Sequence, residues 1–295
     1  MDTRYLESFL QVARLGSTAA AARALNLTPT AVAQRIKALE NEIGATLLTR
    51  AGRNMQATAA GIALLEPASE VVRRTRDLSA IAALDVIAGE LRIGCISTAL
   101  AYLVPRVLAT LIERHKHLHT HLEPAVSTEL YRKVVAGDID VGLMVRPGFE
   151  LPKEFTWRAL SHEPFLVLAP ARLIGCDAHR VLASEPFIRY HRRSWGGLLA
   201  DRYLLEAGIS PRELYEIDTL DAIAAMVGGG LGVSLVPRWQ PLHANLDALA
   251  QLPLPGAGLC RPIGLLWKRN SPKVNLIKVF CDVLYEDKPA PEDRR

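Results

Sequence analysis

Residues 17–44 read STAAAARALNLTPTAVAQRIKALENEIG. Ser17 is a strong helix N-cap residue, and the alanine-rich run Thr18–Leu25 behind it predicts a short helix. Asn26-Leu27 interrupts that helix as a turn. Thr28-Pro29 then supplies a second N-cap, with proline at the first helical position, where its missing N–H leaves no helical bond unmade. The next helix is predicted to run to about Ile43, where Gly44 stops it. Val32, Ile36, Leu39 and Ile43 share one face of this helix and are expected to pack inward. The opposite face presents Thr30, Gln34, Lys37 and Asn41, with Ala33 small enough to allow close approach. Gln can form paired hydrogen bonds to adenine, Lys can contact guanine, and Ala can meet a thymine methyl. A helix that enters the major groove by its N-terminal half needs such a face. A three-helix unit with a polar outer face also occurs in proteins that bind no nucleic acid, so spacing alone leaves both readings open.

Working outward, Leu6, Phe9, Leu10 and Ala13 form a helical stripe that Gly16 ends. Residues 47–58, LLTRAGRNMQAT, read as two short strands around the turn-forming cluster Ala51-Gly52-Arg53-Asn54. Arg50 and Arg53 lie at or beside the hairpin tip, where a wing grips phosphate. Thr58 caps a long helix, roughly Ala59–Val86, which Pro67 is expected to bend. Its apolar and charged faces suit linking two domains or pairing with a copy of itself. Residues 1–60 hold seven basic and four acidic residues, a surplus of three in a chain whose net charge is only +4. The basic character is therefore local.

From Glu90 the pattern changes to strand–helix alternation. Leu91–Ile96 reads as a strand, Thr98–Glu113 as a helix, His119–Val126 as a strand, Thr128–Ala136 as a helix and Val141–Val145 as a strand. This βαβαβ order predicts a mostly parallel sheet. A second set follows. Phe165–Leu168, Phe187–Tyr190, Tyr215–Ile217, Gly232–Val236 and Ile263–Trp267 read as strands, with helices over Trp195–Ala207, Leu220–Val227 and Val274–Leu284. The polar tail 286–295 is expected to be disordered.

The remaining signals mostly exclude. Hydrophobic residues make up 49% and charged residues 22% of the 295-residue chain, which suits two or three folded domains. The N-terminal residues show no basic segment leading into an apolar one, and no apolar run approaches a membrane span, so a cytoplasmic location is expected. Cys95, Cys176, Cys260 and Cys281 are scattered without a CxxC and read as reduced thiols. No G-x-S-x-G, Walker loop or G-x-G-x-x-G is found, so neither an enzyme nor a cofactor is expected. His119 and His121 share a strand face, but no Cys or acidic partner stands at a ligand spacing, and a solvated edge is the plainer reading over a metal site. The alternative function is a small-molecule-binding protein or enzyme carrying a helical dimerisation module.

Ser17–Thr28 and Ala31–Gly44 together resemble the helix-turn-helix of LysR-type transcription regulators. Leu47-Leu48-Thr49-Arg50, Gly52-Arg53 and Thr58-Ala59-Ala60-Gly61 are similar to that family's wing and linker-helix start. Ala136–Leu143 and Val227–Pro237 extend the resemblance, more weakly, along the rest of the chain. It implies an α+β multidomain fold: a winged helix-turn-helix (1–58), a dimerising linker helix (59–89) and a two-lobed α/β, periplasmic-binding-protein-like effector domain (90–285). Lobe one is expected at 90–160 with 264–285, and lobe two at 161–263. The resemblance implies binding of double-stranded promoter DNA as a homodimer or homotetramer and a response to a small-molecule effector. Thr28-Pro29-Thr30 and Ala33 depart from the family's usual residues, so base preference there is not carried over. The DNA-contacting set is Thr28, Thr30, Ala33, Gln34, Arg35, Lys37, Arg50 and Arg53.

In a two-lobed domain the crevice lies where strand ends face each other. Ser97-Thr98 and Ser127-Thr128 each stand at a strand–helix junction, where hydroxyls and free N–H groups favour an anion. Arg146 follows the third strand and offers positive charge. Across the crevice, Tyr190–Trp195 (YHRRSW) offers guanidinium, imidazole and an aromatic wall, and Thr219 caps a helix. The expected effector contacts are Ser97, Thr98, Thr128, Arg146, Tyr190, Ser194, Trp195 and Thr219. The expected ligand is a small carboxylate or aromatic acid. Capping alone also accounts for Ser97, Thr98 and Thr128, and the two roles are compatible.

Overall fold

The computed structural model describes residues 1–52, 54–82, 87–239, 249–256 and 258–286. Arg53, the expected end of the linker helix and nearly all of the expected tail lie outside the described residues. The chain divides into two compact units, Met1–Gly89 and Glu90–Arg295.

The first unit holds α1 (Thr3–Leu15), α2 (Thr18–Ala24), α3 (Pro29–Ile43), the hairpin β1 (Leu48–Ala51) and β2 (Asn54–Ala57), and α4 (Ala59–Ala82). Local side chains set each boundary. Asp2 accepts from the Arg4 N–H at 2.9 Å, Ser17 from Ala20 at 3.3 Å, and Thr28 from Ala31 at 3.2 Å. Gly16 and Gly44 close α1 and α3 in the left-handed region, at φ 64° and 75°. Asn26, at φ 54°, makes the turn between α2 and α3. Leu6, Phe9, Val12, Ala22, Val32 and Leu39 form the core. Ile43, expected inside with them, is instead 38% exposed, as the last residue of α3 before the Gly44 cap.

The second unit begins with β3 (Gly89–Cys95), α5 (Ser97–Tyr102), α6 (Val104–Arg114), β4 (Leu118–Pro124), α7 (Ser127–Ala136) and β5 (Val141–Val145). It continues with β6 (Phe155–Pro170), α8 (Ala178–Ser184), β7 (Pro186–Tyr190), α9 (Trp195–Glu206), β8 (Arg212–Ile217) and α10 (Leu220–Gly228). It ends with β9 (Ser234–Pro237), β10 (Leu249–Pro253), β11 (Cys260–Lys268) and α11 (Val274–Glu286). The single helix expected over Thr98–Glu113 is two helices broken at Leu103, because Pro105, in the first turn of α6, cannot donate back into α5.

The sheet runs β10-β6-β11-β5-β3-β4, with β9 also on β6. It is mixed rather than mostly parallel. β3 pairs with β5 in parallel, but β11 is antiparallel to both β5 and β6, and β9 and β10 are antiparallel to β6. The reason is chain path. β6 leaves one half of the unit and β11 returns to it, so the two must run in opposite directions. The first part of β6 pairs with β11 in the lobe containing β3, β4 and β5, while Leu166–Pro170 pairs with β10 in the other lobe. Along that second part, Phe165, Val167 and Ala169 enter one core cluster and Leu166 and Leu168 another, as strand alternation requires.

Candidate nucleic-acid interface and ligand cavity

On α3, Thr28, Thr30, Ala33, Gln34 and Lys37 are exposed, while Arg35 is half-buried at the edge of that face. Val32, Ile36 and Leu39 hold the other side of the helix in the core, so the helix is fixed with its polar face outward. The Glu40 carboxylate reaches forward to accept the N–H groups of Leu47 at 2.7 Å and Leu48 at 3.2 Å, tying the hairpin base to α3. The Gly16 carbonyl accepts from Met55 N–H at 2.8 Å, tying β2 to the end of α1. Thr58 donates to the Thr46 carbonyl at 2.7 Å and accepts from Gly61 N–H at 3.1 Å. A Cβ on Gly61 would stand 2.1 Å from the Leu47 carbonyl oxygen, so only glycine lets α4 start this close to the hairpin. Arg50 is exposed on β1, and its Nε donates to the Gly52 carbonyl at 3.2 Å. These contacts give a rigid helix face beside an arginine-bearing hairpin.

In the second unit a cavity of about 220 Å³ opens between the lobes. Ser97, Thr98, Tyr190, Ser194 and Thr219 line it, so five of the eight expected contacts are brought together. Ser97 and Thr98 do not cap α5: the N-cap position is Ile96, with no side-chain hydrogen bond. Ser127, rather than Thr128, lines the wall, and its hydroxyl oxygen accepts from Val145 N–H at 3.1 Å. Ser194 caps α9, accepting from Gly197 N–H at 2.9 Å and donating to the His191 carbonyl at 2.8 Å. Thr219 stands at the N-cap position of α10 without a capping bond and donates instead to Asp218 at 3.0 Å.

Arg146 is exposed and outside the lining, its backbone N–H donating to the Pro262 carbonyl at 2.8 Å. Trp195 lies outside the lining as well. It packs with Tyr131 and Phe149, each at 6.0 Å between ring centroids, and so clasps α9 to the opposite lobe. Arg189 and Arg192, from the YHRRSW region and the strand before it, are held by surface acids. Arg189 pairs with Asp201 and Glu213, and Arg192 with Glu213 and Glu216.

The cation in the lining is Arg261, a residue the sequence reading did not single out. It is 2% exposed. Its Nε donates to Glu163 at 2.7 Å, and Nη1 donates to the Tyr190 hydroxyl at 3.2 Å. Nη2 is in ion-pair contact with Glu163 but is buried without a hydrogen-bond partner. Burial pushes the Glu163 carboxyl above its ordinary pKa, with Arg261 pulling it back. Gly196 completes the arrangement: a Cβ there would meet the Tyr190 ring at 2.6 Å. The signal for Arg261 was a lone arginine near the start of the largely apolar β11. Its meaning depends on the register that sets it opposite Glu163.

Two family profiles match the chain. Residues 3–62 match the bacterial regulatory helix-turn-helix protein, lysR family, and residues 85–288 match the LysR substrate binding domain. The uncharacterised HTH-type transcriptional regulator YusT of Bacillus subtilis is 27% identical over 296 residues, covering 100% of this chain and 99% of that protein. The hydrogen peroxide-inducible genes activator of Escherichia coli O6:H1 is 27% identical over 285 residues, covering 92% and 91%. In fold, the chain is similar to full-length CbnR complexed with its target DNA, with a TM-score of 0.67 at 23% identity, over 97% of this chain and 99% of that one. It is equally similar to a Corynebacterium glutamicum OxyR C206 mutant, with a TM-score of 0.67 at 23% identity, over 97% and 91%. The chain belongs to the LysR family and is a DNA-binding transcription regulator with an effector-binding domain, not an enzyme.

Proposed function

We propose that the exposed α3 face, Thr28, Thr30, Ala33, Gln34 and Lys37 with Arg35 at its edge, reads base pairs in the major groove, while Arg50 and Arg53 grip phosphate. The carrying observation is the outward set of hydrogen-bonding side chains on a helix whose other side is locked into the core. In this reading residues 1–58 form the DNA-binding domain and 59–89 the linker through which two or four copies assemble. Residues 90–285 sense the effector, with lobes at 90–160 plus 264–285 and at 161–263, and 286–295 form a tail. Among the described residues no helix is long and apolar enough to cross a membrane. The reading places the protein in the cytoplasm, on the nucleoid.

The cavity is proposed to bind a small carboxylate, with Ser97, Thr98, Tyr190, Ser194 and Thr219 around it and Thr128, Arg146 and Trp195 in supporting positions. Arg261 supports an anionic group, because a guanidinium that lines the cavity can meet a carboxylate oxygen beside its Glu163 partner. A response to hydrogen peroxide, the term in the E. coli relative's name, is a poorer fit for the cavity. The described lining contains no cysteine; burial pushes the Cys95 and Cys281 thiols up to about 11, while Cys176 is exposed and Cys260 half-buried, both outside that lining.

Footprinting on the DNA upstream of the gene, at two salt concentrations, tests the DNA reading. Wild type is expected to give a salt-sensitive, two-patch footprint that a Gln34→Ala, Lys37→Ala variant loses. An unchanged footprint from the variant removes α3 from the reading role. No protection there, followed by no enrichment in random-sequence selection, overturns the assigned DNA contacts as a whole.

A further inference from the structure

The geometry points to a zwitterionic effector, a small amino-carboxylate whose carboxylate turns to Arg261 and Tyr190 and whose ammonium turns to Asp218. This rests on the carboxylate reading of the cavity and narrows it. Two charged side chains line the cavity, Arg261 and Asp218. Glu163 stands directly behind Arg261 and already matches its charge. Of the three groups Asp218, exposed just before the N-terminus of α10, is the one with no ion-pair partner among the described residues. A plain carboxylate held by Arg261 would place a second negative charge on the side of the cavity where Asp218 stands, and like charges repel. A ligand with its own ammonium group removes that conflict, because each of its ends meets an opposite partner.

The polar atoms fit such an occupant. Arg261 Nη2 is in ion-pair contact with Glu163 but makes no hydrogen bond, and Tyr190 accepts from Nη1, so the tyrosine proton remains to be donated. Both donors suit a carboxylate. Asp218 accepts one hydrogen bond, from Thr219, and a carboxylate has further acceptor sites for an ammonium. Ile96, Val126, Val145 and Leu220 give the rest of the wall an apolar character suited to a short side chain. The cavity volume, about 220 Å³, falls below the roughly 300–1,000 Å³ of pockets that take drug-sized ligands and suits a small metabolite.

Isothermal titration calorimetry on the full-length protein tests this. The probes are the proteinogenic amino acids and, for each that binds, the matching acid without the amine and the matching primary amide. Acetate, succinate and benzoate serve as plain carboxylates. At least one amino acid is expected to bind, with its deaminated acid and its amide each weaker by about tenfold or more. Asp218→Asn is expected to lower the affinity for the amino acid and to raise that for the deaminated acid, so that the preference collapses. A deaminated acid that binds wild type as tightly as its amino acid overturns the zwitterion, as does plain-carboxylate binding with no amino-acid binding. Both leave the carboxylate reading standing, and neither depends on a variant that must fold. If no amino acid and no plain carboxylate binds, both readings fall.

Discussion

The two units of this chain satisfy their polar groups over different distances. In the helix-turn-helix unit the partners are close: Asp2 with Arg4, Ser17 with Ala20, Thr28 with Ala31, and Thr58 with Gly61. In the effector unit, caps such as Ser194 on Gly197 are joined by buried partners from far along the chain: Arg261 with Glu163, Lys273 with Asp140, and Ser127 with Val145. Local caps contribute about 1 kcal/mol each and can be lost one at a time. A buried ion pair between distant strands does not fail by increments, because removing one partner leaves the other charged and unmatched. The sensing unit is thus expected to be brittle at a few positions and the DNA-reading unit to be graded.

The largest test of that contrast is Arg261→Met. Glu163 would stay buried without its counter-charge, and about 3–5 kcal/mol of effector-unit stability should be lost. Thermal unfolding followed by calorimetry checks this, with a transition unchanged within a degree or two breaking the contrast. The pH dependence carries the same signature. The folded Glu163 has its pKa raised mainly by burial, so the folded state holds its proton where the unfolded chain has released it. Stability contributed by this group is then present at low pH and is lost as pH rises from the ordinary carboxylate value through the raised folded one. Glu163→Gln should remove that component, flattening the pH–stability curve just above the ordinary carboxylate range. A curve of unchanged slope would mean that Glu163 is not held in the raised state.

The difference in range also explains what could be read from sequence. Ser17, Gly16, Thr28-Pro29 and Gly44 mark helix ends by chemistry that acts within four residues, so α1 to α3 were legible from the chain alone. Strand β6 was legible only over Phe165–Leu168. Its earlier half carries Arg158, His162, Glu163 and Pro164, which break the apolar alternation, and pairing with β11 makes it a strand despite them. The cavity was legible where strand–helix junctions supply hydroxyls, but Arg261 was not. Nothing near it in sequence reports that Glu163 stands opposite, and the more obvious Arg146, Arg189 and Arg192 point elsewhere or are held by acids. The register that brings Arg261 to the cavity is a property of the assembled sheet, which no local window contains.

An intermediate effect is expected at Glu40, a contact in the DNA-reading unit that works over a longer range than a cap. Its carboxylate holds the Leu47 and Leu48 N–H groups, and Leu47 and Leu48 are buried. Glu40→Ala should cost about 1.5–3 kcal/mol of stability, as for a hydrogen bond to a charged group. It should also release the hairpin from α3, so that the slope of log affinity against log salt on a random 30-base-pair duplex falls by about one as the Arg50 phosphate contact is lost. Glu40→Gln keeps an acceptor oxygen and should recover most of both. A Glu40→Ala protein with lowered stability but an unchanged salt slope would leave Glu40 a structural residue only.

The smallest effect separates two roles of one side chain. Thr28 caps α3 and also stands on its exposed, N-terminal end. Thr28→Ala removes the acceptor for the Ala31 N–H and should cost about 1 kcal/mol of stability, while Thr28→Ser keeps the cap and should cost a fraction of that. If capping is the whole role, DNA affinity follows the helix: Ser matches wild type, and Ala weakens every sequence alike. If Thr28 also touches the duplex, its methyl group matters, and Thr28→Ser should change discrimination at one base position with stability held. Competition binding against single-base operator variants distinguishes the two, because a loss uniform across positions comes from the cap and a loss confined to one position comes from the contact.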